Sequence, residues 1–178
     1  MRATRLAAPL VLAGILPCLA APQEAQPEFA IKARFLLQFP EFISWPPGAG
    51  LEDPSKPFII LVLGDSPFGD RLDQAAQGRK AQGHPVEIRY SHDAAALDGC
   101  HMVFICASER GRLGALLARA AFRPILTVAD TEGFAEQGVM INLVIESSLP
   151  RFEINRAPAR GAGLSLSAQL LGLARKVL

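Results

Sequence analysis

Residues 58–64 read Phe58-Ile59-Ile60-Leu61-Val62-Leu63-Gly64. Six apolar side chains in a row leave no position to turn toward water. Successive strand side chains point to opposite faces, so a strand of this kind needs cover on both. Two further apolar runs, Met102–Ala107 and Pro124–Ala129, repeat the pattern. Residues 67–77 between them read as helical, Val86–Tyr90 as extended, and Ala94–Leu97 as a short helical turn. Arg110–Ala121 places Leu113, Leu116 and Leu117 on one helical face. Buried strands alternating with helices imply crossover connections. The expected fold is therefore α/β, a mostly parallel sheet with helices on both faces. Met140–Ile145 and Phe152–Asn155, joined through Glu146–Arg151, predict a hairpin that adds an antiparallel edge near the C-terminus.

Working outward, residues 28–45 predict one helix with an apolar stripe at Ile31, Phe35, Phe39 and Phe42. Pro40 should kink it, because proline gives no backbone donor and crowds the preceding turn. Residues 46–57 hold four prolines and two glycines and read as a loop. A short helix is expected near Thr131–Glu136, with Asp130 as its cap. A last helix is expected after the capping Ser167, with Leu170, Leu173, Ala174 and Val177 as its stripe.

The first twenty residues stand apart from this pattern. Arg2 and Arg5 precede an apolar run from Leu6 to Ala21, with Pro9 and Pro17 within it and small residues at Ala20 and Ala21. This is the layout of a secretory signal peptide cleaved near Ala20. The run is short for a bilayer span, so an uncleaved anchor is the weaker reading. Ile15-Leu16-Pro17-Cys18 resembles a lipoprotein box only loosely, since proline directly before the cysteine is atypical there. The expected organisation is residues 1–20 as signal peptide and 21–178 as one exported domain that does not insert in the membrane.

The chain has 178 residues, 18 basic and 17 acidic, for a net charge of +1. Cleavage near Ala20 removes two of the basic residues and none of the acidic ones. Such a balance argues against nucleic-acid binding through a broad basic footprint. Of the three cysteines, Cys100 and Cys106 remain after cleavage. If one strand holds both, their Cα atoms lie about 20 Å apart, whereas a disulfide needs ~7 Å or less. An internal bridge is not expected.

Chemistry-bearing patterns are sparse. Gly64-Asp65-Ser66-Pro67-Phe68-Gly69 sits at the carboxyl end of a buried strand, where α/β sheets bind ligands. Asp70-Arg71 replaces the Lys-Ser/Thr of a phosphate loop, so a tight turn with Asp65 or Ser66 as a cap is the favoured reading. Gly64, Asp65, Ser66 and Gly69 remain the candidate ligand turn. His84, His92 and His101 do not assemble a metal-binding pattern with the cysteines, and no metal or cofactor is expected. His101 reads as a partly buried residue bonded to backbone. An acid–base pairing of Asp130 with His101 across neighbouring strand ends is conceivable, but it lacks a nucleophile. No catalytic residue is assigned.

The ordered motifs resemble a known family. They are Phe42-Ile43-Ser44-Trp45-Pro46; Leu63 to Gly69; Cys100-His101-Met102-Val103-Phe104; and Leu126 to Asp130 with Gly133 and Phe134. Gly138-Val139-Met140-Ile141-Asn142, Phe152-Glu153-Ile154-Asn155 and Gly163-Leu164-Ser165-Leu166-Ser167 complete the set. In order and spacing the chain is similar to the YfiR family of exported bacterial proteins over residues 28–178. It departs at Val139, where a second glycine is usual, at Pro40, and in lacking the additional cysteines of the type member. The resemblance implies a non-enzymatic periplasmic regulator, a homodimer that binds the periplasmic domain of an inner-membrane diguanylate cyclase. That contact lowers cyclic-di-GMP signalling and biofilm formation. Related domains joined to sensor kinases make such a kinase another possible partner.

Two readings from different classes follow. The first is a repressor that docks through an apolar corner at Trp45 and Pro46. The alternative is a periplasmic small-molecule sensor or small hydrolase using the Gly64–Gly69 turn.

Overall fold

A computed structural model of the chain describes residues 25–146 and 149–178. The signal-peptide reading, Cys18 and the Ala20 cleavage point lie outside the described residues.

Helix α1 (Ala25–Gln38) is shorter than expected. The chain continues as a 3-10 turn, Phe39–Phe42, and then as β1 (Ile43–Ser44). Proline disfavours the α conformation in the residue before it and has no N–H to close an α-helical bond. Pro40 therefore tightens and ends the helix rather than kinking it. The buried face is also rotated from the expected stripe. Ala33, Leu36, Leu37 and Phe39 face the sheet, Ile31 is exposed, and Phe35 and Phe42 pack at the rim of the core.

The loop then delivers β2 (Phe58–Leu63), whose six side chains are all buried. After it come α2 (Arg71–Ala76), β3 (Lys80–Ala81), β4 (His84–Ser91) and a 3-10 turn at Ala94–Leu97. Strand β5 (Met102–Ile105) is shorter than the predicted run, since Ala107–Arg112 is a 3-10 turn leading into α3 (Leu113–Ala120). Strands β6 (Leu126–Ala129), β7 (Ile141–Glu146) and β8 (Leu149–Ile154) follow. The chain closes with α4 (Arg156–Gly161), β9 (Ser165–Leu166), α5 (Ala168–Leu173) and β10 (Lys176–Val177).

The main sheet has the order β10-β8-β7-β6-β5-β2-β4-β3. Strands β4, β2, β5, β6 and β7 run parallel, and β8 turns back antiparallel on β7 as expected. Strand β1 pairs only with β9. Alternation along the strands splits the interior in two. Phe58, Ile60, Val62, Phe104, Val128 and Ile141 face α1. Leu61, Leu63, Val103, Ile105 and Ala129 face α3 on the other side. Burying each such side chain contributes roughly 1.5–3 kcal/mol, so the continuous apolar runs drive this two-faced burial.

One expected helix does not form, and the last one is shorter than expected. The segment 131–138 is a chain of turns, because Gly133 and Gly138 adopt φ of +81° and +113°. Backbone bonds such as Phe134 N–H to the Thr131 carbonyl close those turns. The last helix stops at Leu173, and Val177 lies exposed on β10 instead of in an apolar stripe. The edge of β8 takes the chain from there: Arg175 and Leu178 donate their N–H groups to the carbonyls of Phe152 and Ile154. Ser167 does cap α5, its Oγ accepting from the Leu170 N–H at 3.2 Å.

Candidate functional site

Strand β2 is the pivot of the topology. From it the chain runs to β4 on one side and returns to β5 on the other. Ligands of doubly wound sheets bind outside the carboxyl ends of such a strand pair. In this protein the crevice is filled by its own side chains. Gly64 (φ +99°) approaches so closely that an added Cβ would stand 2.5 Å from Ser108 Oγ and 2.8 Å from the Glu109 side chain. The Asp65 N–H donates to Ser108 Oγ at 2.9 Å. Glu109 is buried and paired with Arg112, whose guanidinium also donates to the His92 carbonyl.

The remaining residues of the turn divide by role. Ser66 Oγ accepts from the Phe68 N–H at 3.3 Å, and Gly69 supplies a φ of +53°. The Asp65 carboxylate is 82% exposed, with only His92 near it at 3.9 Å. Asp65 is therefore not the expected cap, and α2 begins at Arg71 after Asp70, which makes no side-chain capping bond.

Asp130 is not a helix cap either. Its Oδ2 accepts from Lys32 Nζ of α1 at 2.8 Å, and Lys32 also pairs with Glu28 at 2.5 Å. Lys32 and Asp130 side chains are only 6% and 10% exposed. Nor does Asp130 face His101. The strands are parallel, so His101 precedes β5 at one end of the sheet while Asp130 follows β6 at the other.

The other motif residues are packing and hydrogen-bonding positions of the fold. Phe134 is fully buried, with the Arg110 guanidinium 5.4 Å from its ring centre. Met140 donates its N–H to Thr127 Oγ1 at 3.0 Å. Asn155 caps α4 by accepting from Ala157 and donates to the Ala135 carbonyl at 2.9 Å. Phe152 packs edge-on to Phe39 and against Phe35. Asn142 is fully buried, between Ala129 and Glu153, and neither of its amide atoms has a hydrogen-bond partner. Beside it opens a cavity of about 510 Å³ lined by Asp130, Glu132, Glu136 and Glu153, in which Glu153 pairs with Arg175 at 3.0 Å and Glu136 with Lys176 at 2.6 Å. Lys32 went unnoticed in sequence reasoning. The available signal was a lysine set between Ile31 and Ala33, four residues after Glu28.

At the opposite end of the sheet, Trp45, Phe58 and His101 stack in series. The Trp45 indole N–H donates to the Pro124 carbonyl at 3.0 Å, and its ring stands edge-on to Phe58 at 5.2 Å. His101 stacks on Phe58 at 5.0 Å, and its Nδ1 accepts from the Ile59 N–H at 3.0 Å. Burial, with His84 nearby, pushes the His101 pKa below its ordinary value. Pro46 packs beside Gly163, where an added Cβ would lie 3.3 Å from it.

Cys100 and Cys106 are free and buried, and burial pushes each thiol up to about 12. Both therefore stay protonated and unreactive near neutral pH. Among the described residues, no group of three or more His, Cys, Asp or Glu side chains is placed to hold a metal ion.

The family model described as DUF4154, YfiR/HmsC-like, matches residues 29–175. The chain belongs to the YfiR/HmsC-like family. The family is one of non-catalytic periplasmic regulators of diguanylate cyclase signalling. No curated protein matches the chain. Among solved structures it is similar to the ABC domain from Streptococcus pneumonia in complex with L-Trp, with TM-score 0.54 and 12% identity, covering 82% of this chain and 62% of that one. It is also similar to a conserved domain protein from Vibrio cholerae O1 biovar eltor, with TM-score 0.56 and 10% identity, covering 84% and 60%. The chain thus spans about three fifths of each, and the likeness is one of fold. Among the described residues of this YfiR/HmsC-like protein, no helix is long and apolar enough to cross a membrane.

Proposed function

We propose that the mature chain is a periplasmic repressor. It binds the periplasmic domain of an inner-membrane diguanylate cyclase, or of a related sensor kinase, and holds that partner in its low-output state. The observation that carries this reading is the family match across residues 29–175. The chemistry of the folded chain supports it: both thiols are held protonated, His101 is turned to backbone, and Asp130 is engaged by Lys32. A nucleophile, a base and an orienting group do not come together at any of these places. Repression requires a difference in affinity between the partner's two states, and a tenfold shift takes only ~1.4 kcal/mol.

The half-buried Trp45 and the adjoining Pro46 are the proposed docking corner. Trp45 is held rigid by Phe58 and Pro124, which lowers the entropy lost when an aromatic anchor is ordered at an interface. The protein is further proposed to act as a homodimer. Phe122 supports that: it is 86% exposed with φ of +60°, beside an apolar cleft of about 280 Å³ at Leu117, Met140 and Pro158. An exposed aromatic next to a hole of matching chemistry suits a two-fold contact in which each copy fills the other.

Crosslinking in the periplasm tests the partner. The expected product joins this chain to an inner-membrane protein with a cyclase or kinase output domain, and Trp45→Ala should reduce it. Crosslinks only to soluble periplasmic proteins would contradict the proposal.

A further inference from the structure

At the amino end of the parallel strands lies a hollow of about 370 Å³ that the repressor reading does not use. Its wall is formed by Lys56, Arg89 and Arg123, and its floor by Ile59, Cys100 and Ile125. None of the residues lining it is acidic. Arg89 and Arg123 each touch one carboxylate, Glu87 at 2.6 Å and Asp98 at 2.9 Å, and both carboxylates stand outside the lining. Asp98 is shared with Arg119 at 3.0 Å. Lys56 has no ion pair among the described residues. The cavity beside Asp130 differs in kind, lined by four carboxylates and only two cations.

His101 also lines the hollow, with its ring bonded to the Ala49 backbone. Its Nδ1 accepts from the Ile59 N–H, so the ring proton of the neutral imidazole sits on Nε2. That nitrogen turns toward Gly50, 3.5 Å from where a Cβ would be, at the rim of the same hollow. Gly99, also at the rim, has φ of +81° and open space where a side chain would stand. A concave site with apolar floor and a few convergent polar groups is the usual build of a small-molecule site, and this volume falls within the usual ~300–1,000 Å³. Cations gathered in a cleft with low-dielectric walls concentrate anions, and the guanidinium fork matches carboxylate and phosphate oxygens.

We infer that this hollow binds a small organic anion, a carboxylate or phosphate head on a flat apolar body. The head meets Lys56, Arg89 and Arg123, and the body lies on Ile59 and Ile125. The inference does not rest on the partner reading, because the free chain alone is tested.

The chain carries its own reporter. Trp45 is the only tryptophan, and it donates to the carbonyl of Pro124, which lines the hollow. Tryptophan emission of the mature protein is titrated with phenyl phosphate, benzoate, inorganic phosphate and benzyl alcohol. Saturable changes are expected with phenyl phosphate or benzoate, and the tighter of the two identifies the head group. Arg123→Gln and Lys56→Gln should each weaken that binding roughly tenfold or more, the usual loss for a charge-assisted hydrogen bond. Both variants should keep the melting temperature of the parent, which separates lost binding from lost folding. No saturation with either organic anion, or affinity unchanged in both variants, would overturn the inference. Equal affinity for inorganic phosphate or benzyl alcohol would overturn it too, by showing that head and body are not read together.

Discussion

Lys32 of α1 and Asp130 at the end of β6 form an ion pair of 2.8 Å with both side chains almost out of water. The pair fastens the first helix to the carboxyl end of the sheet across 98 residues of sequence. Removing one partner leaves the other charge buried and unmatched, at a cost of roughly 3–5 kcal/mol. Lys32→Met should lower the urea-unfolding free energy by about that amount. Replacing both, Lys32→Met with Asp130→Leu, should recover most of the loss. Additive losses in the double variant would show that the two side chains do not act as a pair.

The turn after β2 makes a contrasting pair of variants. Gly64→Ala places a Cβ 2.5 Å from Ser108 Oγ at a φ of +99°, so a loss of at least ~1–3 kcal/mol is expected from backbone strain alone. Asp65→Ala, which removes an exposed carboxylate, should stay within about 0.5 kcal/mol of the parent. Chemical denaturation of both variants decides it. A larger loss at Asp65 than at Gly64 would contradict the packing described for this crevice.

The cysteines should titrate as two free thiols in the unfolded, unreduced mature chain, since both are unbridged in the fold. In the folded chain they should react very slowly with a thiol reagent, because burial holds each near 12. Rapid labelling of the native protein at neutral pH would contradict their placement in the interior.

His101 gives the fold a pH dependence whose sign follows from its bonds. Its folded pKa is lowered by burial, and its Nδ1 must stay unprotonated to accept from Ile59. The unfolded chain then takes up a proton near pH ~6.5 that the folded chain refuses. Stability is fully present above that pH and falls as pH drops through it toward the lower folded value. His101→Asn, which keeps an acceptor but cannot charge, should flatten the decline in melting temperature between pH 7.5 and 5. An identical decline in parent and variant would show that His101 is not its source.

The sheet was legible because its signal is local. An apolar run such as Phe58–Leu63 can be satisfied only where both faces are covered, and the run states that by itself. The end of α1 was not legible because Pro40 withholds an N–H from the Leu36 carbonyl in a kinked helix and in one that gives way to a 3-10 turn alike, so the local sequence does not choose between them. Strand β10 was misread because Lys176–Val177 becomes a strand only where the edge of β8 is open to it, a fact of topology rather than propensity. Asp130 read as a cap because aspartate before turn residues usually is one. Its real partner, Lys32, lies far away in sequence, and no local pattern links the two. The cation-lined hollow was likewise hidden, since Lys56, Arg89 and Arg123 meet only once the strands are laid side by side.

The central claim is repression of an inner-membrane diguanylate cyclase from the periplasm, and cellular cyclic-di-GMP measures it most directly. Deleting the gene should raise the cyclic-di-GMP level, and expressing the exported chain should return it to the parental value. A level unchanged by the deletion, and unmoved when the exported chain is supplied, would contradict the repressor reading.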